Sequence, residues 1–207
     1  MKDQFYDDGK QLPVMEEFYS IQGEGAQTGK AAYFIRLGGC DVGCNWCDVK
    51  ESWDSGLHPM LKTDDVVSRI LQCPAKAVVV TGGEPLLYDL TYLCRLLKKE
   101  GIKRYLETSG SETLKGEWDW ICLSPKKNSP PDPLIFPYIN ELKVVIRTSD
   151  DFLWAEENAT HCSPDCILSL QPEWSSRNEI LPVIIDYILA NPVWKTSLQA
   201  HKYMRIP

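Results

Sequence analysis

Short apolar runs alternate with helical patterns along most of the chain. Ala31 to Leu37, Ala75 to Val80, Lys103 to Glu107, Trp118 to Leu123, Leu142 to Ile146 and Ile167 to Leu170 are rich in Val, Ile, Tyr and Leu. They end near Gly, Ser, Thr or Pro, which predicts strands. Thr63 to Gln72, Leu90 to Glu100, Asp150 to Asn158 and Arg177 to Ala190 read as helices. Asp89 is placed to cap the second and Gly101 to end it. Ser176 and Glu179 have capping-box spacing for the last, in which Pro182 predicts a kink or a later start. Lys126 to Pro137 carries Pro130, Pro131, Pro133 and Pro137 and reads as a loop without regular structure.

Strand–helix alternation predicts a parallel sheet. A complete eight-unit barrel usually takes about 250 residues, and this chain has 207. The link from Glu107 to Trp118 is also too short for a helical crossover. The expected fold is α/β: a shortened, modified partial (β/α) barrel with a mostly parallel curved sheet, residues 1–207 forming one domain. Such sheets bind ligands at the carboxyl ends of their strands.

Composition is that of a globular protein, 43% hydrophobic and 25% charged. A formal charge of −7 argues against bulk nucleic-acid binding, which depends on Lys and Arg neutralising phosphates. The apolar stretch from Leu181 to Trp194 is interrupted by Pro182, Asp186 and Pro192, so no membrane span is expected. Met1-Lys2-Asp3-Gln4 lacks the apolar core of a signal peptide. Eight cysteines without an export signal predict a reducing, cytoplasmic setting in which thiolates stay available for metal.

The chemistry concentrates at Cys40, Cys44 and Cys47, a C-x3-C-x2-C run after the strand Ala31 to Leu37. Three thiolates hold three irons of a four-iron, four-sulfur cluster and leave one iron open for a substrate. A structural zinc site prefers four ligands, and only Cys44 and Cys47 have knuckle spacing here. A disulfide framework suits small secreted domains. Thr81-Gly82-Gly83-Glu84-Pro85 follows the next strand; its glycines remove side chains where a ligand approaches the backbone.

The two motifs, in this order, resemble the signature of radical S-adenosylmethionine (SAM) enzymes. Ser20-Ile21-Gln22-Gly23-Glu24-Gly25, Tyr33-Phe34-Ile35-Arg36-Leu37-Gly38-Gly39, Ser124-Pro125-Lys126 and Leu198-Gln199-Ala200-His201-Lys202 extend the likeness over nearly the whole chain. Together they resemble the 7-carboxy-7-deazaguanine synthases. That resemblance implies a homodimer that converts 6-carboxy-5,6,7,8-tetrahydropterin to 7-carboxy-7-deazaguanine with loss of ammonia, for queuosine and other 7-deazapurines. It also implies a 4Fe–4S cluster, SAM and an electron donor such as flavodoxin or ferredoxin. The alternatives are another small radical SAM enzyme, such as a glycyl-radical activase, or a non-catalytic iron–sulfur protein.

By the same resemblance, Cys40, Cys44 and Cys47 ligate the cluster. Trp46, Cys47, Asp48, Gly83, Ser124, Pro125, Lys126, Gln171, Pro172 and Glu173 contact SAM. Ile21, Gln22, Gly23 and Thr81 contact the pterin, with the Pro207 chain end folded into the pocket. Glu24 and Arg36, from their chemistry, and His201, from its place at the end of a predicted strand, are further candidates for that contact. Arg36 also stands out physically: a charge within an apolar strand is costly unless paired, and its guanidinium suits a carboxylate. Glu107 to Gly110 is expected to shape the cofactor pocket. One position departs from the family. A Thr often follows Cys-Asp there and helps hold Mg2+, whereas this chain has Val49. That predicts a weakened or absent Mg2+ requirement, with Arg36 or Lys50 supplying the charge. Cys73, Cys94 and Cys122 read as small buried hydrophobes. Cys162, Cys166 and His161 offer only three candidate ligands for a second metal.

Overall fold

The computed structural model describes residues 8–207; the reading of Met1 to Gln4 lies outside them. The expected α/β architecture is present. Among the described residues a nine-stranded sheet runs in the order β3-β1-β2-β4-β5-β6-β7-β8-β9. Its strands are β1 (Gln11–Ile21), β2 (Ala31–Leu37), β3 (Met60–Lys62), β4 (Ala77–Gly82), β5 (Lys103–Thr108), β6 (Trp120–Leu123), β7 (Glu141–Ile146), β8 (Ile167–Pro172) and β9 (Trp194–Thr196). β1 pairs antiparallel with β2 and β3, and every pairing from β2 to β9 is parallel. The helices are α1 (Thr63–Ile70), α2 (Thr91–Lys99), α3 (Asp151–Ala159), α4 (Arg177–Ala190) and α5 (Ala200–Met204). No helix of the described residues is long and apolar enough to cross a membrane.

Side chains in a strand alternate between faces, and here the alternation separates core from chemistry. Tyr33, Ile35 and Leu37 of β2, Val78 and Val80 of β4, Leu106 of β5, and Leu142, Val144 and Ile146 of β7 join the main hydrophobic core. Their neighbours Ala32, Phe34, Ala77 and Val79 form a small second cluster with Phe18 and Tyr105. On that face, nearer the carboxyl ends, stand Arg36, Thr81, Glu107, Lys143 and Gln171. A row of polar groups on one face of a largely buried sheet has no place in a core, so it marks the ligand side.

Several expectations change. β1, β3 and β9 are additional strands; Pro13 in β1 and the brevity of β3 and β9 hide them from a period-two reading. The Ser176–Glu179 capping box does not form, because the Ser176 hydroxyl donates to Glu173 instead. α4 runs unbroken through Pro182. The proline-rich segment is not wholly irregular: Pro133–Tyr138 forms a 3-10 helix, started by Asp132 accepting from the Leu134 N–H at 2.9 Å. Pro133 sits in its first turn, where a missing N–H costs nothing. His201 belongs to α5 rather than to a strand end. Asp89 stands one residue ahead of the N-cap, Leu90, yet accepts from Thr91 N, the first N–H of α2, at 2.8 Å, and Gly101 follows the helix with φ +69°.

Candidate active site

The loop after β2 brings Cys40, Cys44 and Cys47 to the wall of one cavity of about 240 Å³. All three are free, half-buried thiols. The loop is held from outside, since Asn128 Nδ2 donates to the carbonyls of Val42 (2.5 Å) and Gly43 (3.2 Å). Burial raises the Cys40 thiol, opposed by the backbone N–H groups of Val42 and Gly43. Burial likewise raises Cys44, opposed by the Lys126 ammonium. Such N–H groups and a nearby cation suit sulfurs that carry negative charge. No three His, Cys, Asp or Glu side chains among the described residues are grouped to hold a single metal ion. A four-iron cluster does not need that cage, since each thiolate binds its own iron. The donor set therefore fits the cluster.

Gly82 and Gly83 pack β4 against this loop. A Cβ on Gly83 would lie 2.1 Å from Gly39 O and 2.8 Å from Cys40 Cβ, so only glycine allows the two turns to meet. Gly83 N donates to Leu37 O at 2.9 Å and Glu84 N to Gly39 O at 2.8 Å. The buried Glu84 carboxylate then accepts from Leu86 N, Thr108 Oγ1, and Ser109 N and Oγ. It thereby fastens the end of β5 to the same turn.

Trp46, Asp48, Gly83, Ser124 and Lys126 line this first cavity. So do Gln171, Pro172 and Glu173. Pro125 lines neither this cavity nor the next; it is buried, and its carbonyl accepts from Trp154 Nε1 at 3.5 Å. Lys126 Nζ donates to Ser124 O (2.5 Å) and Oγ (2.6 Å) and lies 5.6 Å from the Trp46 ring centre. Burial lowers its pKa.

A second cavity of about 260 Å³ adjoins the first. Glu24, Arg36, Asp48, Val49, Thr81 and Glu107 line both. Ile21, Gln22, Gly23, His201 and Pro207 line the second, with Pro207 exposed. Arg36 uses its Nε on Glu16 Oε1 at 2.6 Å, across the β1–β2 pairing. Gly23 makes room for α5: its Cβ would lie 2.5 Å from His201 Nδ1, and its carbonyl accepts from Ala200 N at 2.8 Å. Burial lowers the His201 pKa below the ordinary imidazole value.

Between the cavities lies a charge cluster centred on the buried Lys143. Lys143 Nζ is 2.7 Å from Glu24 Oε2 and 3.0 Å from Glu107 Oε2. Glu24 also accepts from Gln171 Nε2 (3.1 Å) and Gln199 Nε2 (3.0 Å). Burial raises the Glu24 pKa, but Lys143 and the two amides outweigh it and bring it to about 2. Burial dominates at Glu107 and raises its pKa. Burial lowers that of Lys143, yet the two carboxylates outweigh it and hold the ammonium charged. Gln22 Nε2 donates to Glu107 Oε1 at 3.2 Å. The Glu24 loop is set from below, where buried Glu141 accepts from Ala26 N at 2.9 Å and Ser169 Oγ at 2.8 Å.

Comparison with known proteins fits this geometry. The Radical SAM superfamily model matches residues 34–123, from β2 through β6, which include the three cysteines and Gly83. The 7-carboxy-7-deazaguanine synthase of Flavobacterium psychrophilum is 55% identical over 96% of this chain and 94% of its own length. The chain belongs to the 7-carboxy-7-deazaguanine synthase family. The synthase of Synechocystis sp. is 48% identical over 94% of this chain and 93% of its own. The crystal structure of QueE from Escherichia coli matches with a TM-score of 0.84 at 30% identity, covering 95% of this chain and 97% of that one. As a radical SAM enzyme of the synthase family, the chain is expected to hold a 4Fe–4S cluster and SAM, and the cysteine-lined cavity is where the donors for them converge.

Some site residues of this synthase-family chain lie outside the motifs. Lys143 and Trp174, which both line the first cavity, were not singled out. The reasoning applied to Arg36 reaches Lys143 equally well: a lone charge inside the apolar strand β7 needs a partner. Trp174 carries no such signal. Among the described residues Cys162, Cys166 and His161 are not grouped to hold a metal ion, and His161 packs against Phe136 with ring centres 5.2 Å apart.

Proposed function

We propose that the protein converts 6-carboxy-5,6,7,8-tetrahydropterin to 7-carboxy-7-deazaguanine with release of ammonia, a carbon–nitrogen lyase reaction feeding queuosine and related 7-deazapurines. The observation that carries this reading is the shared wall of the two cavities. It sets a cysteine-lined cofactor cavity against a second cavity bearing Arg36, Thr81 and Glu24. When bound, the cluster and SAM supply a 5'-deoxyadenosyl radical, and the protein supplies orientation and exclusion of side reactions.

Cys40, Cys44 and Cys47 would hold the cluster. Trp46, Asp48, Gly83, Ser124, Lys126, Gln171, Pro172 and Glu173 would surround SAM, with Pro125 bracing the Ser124–Lys126 segment through Trp154. Ile21, Gln22, Gly23, Glu24, Arg36, Thr81, His201 and Pro207 would enclose the pterin. With its Nε on Glu16, Arg36 presents its terminal nitrogens for a carboxylate. Glu24, kept ionised, accepts from the donor-rich edge of the pterin. Fixing the ring so that a single hydrogen faces the radical carbon is the main task of this wall.

The Mg2+ ion implied by the family does not fit this donor set. Val49 lines both cavities and presents only methyl groups. Asp48 Oδ2 is taken by Lys202 Nζ at 2.7 Å and Gln199 Nε2 at 3.2 Å. Hard cations need oxygen ligands.

The whole chain, on this reading, is one radical SAM domain that works as a homodimer in the cytoplasm. A flavodoxin or ferredoxin supplies its electron. The eight free thiols of the described residues are consistent with a reducing compartment. The test is to reconstitute the cluster anaerobically in the wild type and in Cys44→Ala, then add reductant, SAM and the pterin. The wild type should show cluster absorbance and turnover, and Cys44→Ala neither. A wild type with a full cluster and no turnover would overturn the reading.

A further inference from the structure

Where Val49 withdraws an oxygen ligand, a cation arrives from the far end of the chain. Lys202 lies on α5 and lines the second cavity beside Asp48, Val49 and Arg36. Its Nζ is 2.7 Å from Asp48 Oδ2 and 4.7 Å from the centre of the Trp174 ring. Its side chain is 21% exposed, so it is held rather than waving in solvent. An ammonium carries three donors. Asp48 takes one and the ring face covers another side, which leaves donor capacity for the cavity. α5 is itself anchored, through Ala200 N to Gly23 O at 2.8 Å and Lys202 N to Gln199 O at 3.0 Å. The ammonium is therefore pre-positioned at the substrate wall.

We infer that Lys202 supplies the positive charge facing the substrate carboxylate, together with Arg36 from β2, so that binding and turnover need no divalent cation. The inference rests on the pterin reading above. It assigns Lys202 as a specificity-determining residue for an anionic substrate, coupled through Asp48 to the cofactor loop. Two cations from different elements, one point-like and one bidentate, give the carboxylate a directional site without metal. A dication there would sit beside the Lys202 ammonium at Asp48 and would gain no side-chain oxygen from residue 49.

The test uses cluster-loaded protein with SAM under anaerobic conditions. Affinity for the 6-carboxytetrahydropterin is measured by calorimetry, and product formation in parallel, with EDTA or with excess Mg2+. The wild type should bind and turn over equally in both. Lys202→Met should bind the pterin about tenfold to a hundredfold more weakly, with KM raised to match, keep most of its kcat, and gain nothing from Mg2+. Lys202→Arg should recover most of the affinity, which a purely structural lesion would not predict. A wild type that requires Mg2+, or a Lys202→Met that binds pterin normally, would overturn the inference. The chelator arm uses the unaltered chain and decides even if Lys202→Met fails to fold. Product that appears only with Mg2+ sinks this inference alone; no product in either arm sinks the pterin reading and this inference with it.

Discussion

Lys143 Nζ lies 2.7 Å from Glu24 Oε2, although one residue is on β7 and the other in the loop after β1. The pair ties the antiparallel end of the sheet to its parallel half, and it does so under the wall between the two cavities. Removing one partner leaves buried carboxylates uncompensated. Lys143→Met is expected to destabilise the fold by about 3–5 kcal/mol. Urea unfolding checks this, and an unchanged midpoint would show that the pair carries little.

Glu24 gives the pair a pH signature. Its carboxyl is depressed from an ordinary 4.5 to about 2. A depressed carboxyl contributes stability that is complete above its unfolded pKa and is lost as pH falls through the folded one. The shift corresponds to about 3 kcal/mol, present above roughly pH 5 and fading toward pH 2. Glu107 acts in the opposite sense. Its raised pKa favours the protonated folded state, so acidification returns part of the loss. Urea unfolding at several pH values should show the wild type weakening below about pH 5, and Glu24→Gln weakening less over the same window.

Gly83→Ala should act on the cluster loop rather than on the core. Its new Cβ would meet Gly39 O at 2.1 Å, and backbone cannot yield as a side chain can. We expect about 1–3 kcal/mol of strain, reduced iron content after reconstitution and weaker SAM binding. Full iron content with normal SAM affinity would contradict the proposed contact between the two turns.

Glu173 has a structural duty beside its place at the first cavity. It accepts from Ser175 N (2.9 Å), Ser175 Oγ (2.6 Å) and Ser176 N (3.1 Å) at the start of α4. Glu173→Ala should cost about 1–2 kcal/mol through the lost cap and should also weaken SAM binding. Thermal unfolding and SAM titration report the two effects separately.

The sheet from β2 to β8 was legible in the sequence because buried parallel strands read as apolar runs. β2 begins and ends where its run does, at Ala31 and Leu37. β1 was not legible, because Pro13 and the polar run at Glu16 and Glu17 break its pattern, while pairing with β2 and β3 holds it extended. The cysteine loop and Gly83 were legible because their chemistry is local in sequence. The Glu24–Lys143–Glu107 cluster was not, since it joins the loop after β1 to positions on β5 and β7 that are far apart in sequence. The capping role of Glu173 was hidden too, because it takes the hydroxyl that Ser176 was expected to use as a cap.

The account stands most directly on the identity of its product. Anaerobically reconstituted protein, reductant, SAM and 6-carboxy-5,6,7,8-tetrahydropterin should yield 7-carboxy-7-deazaguanine, identified by mass, with one ammonium released per molecule formed. Consumption of SAM without that product, or product without ammonium, would contradict it.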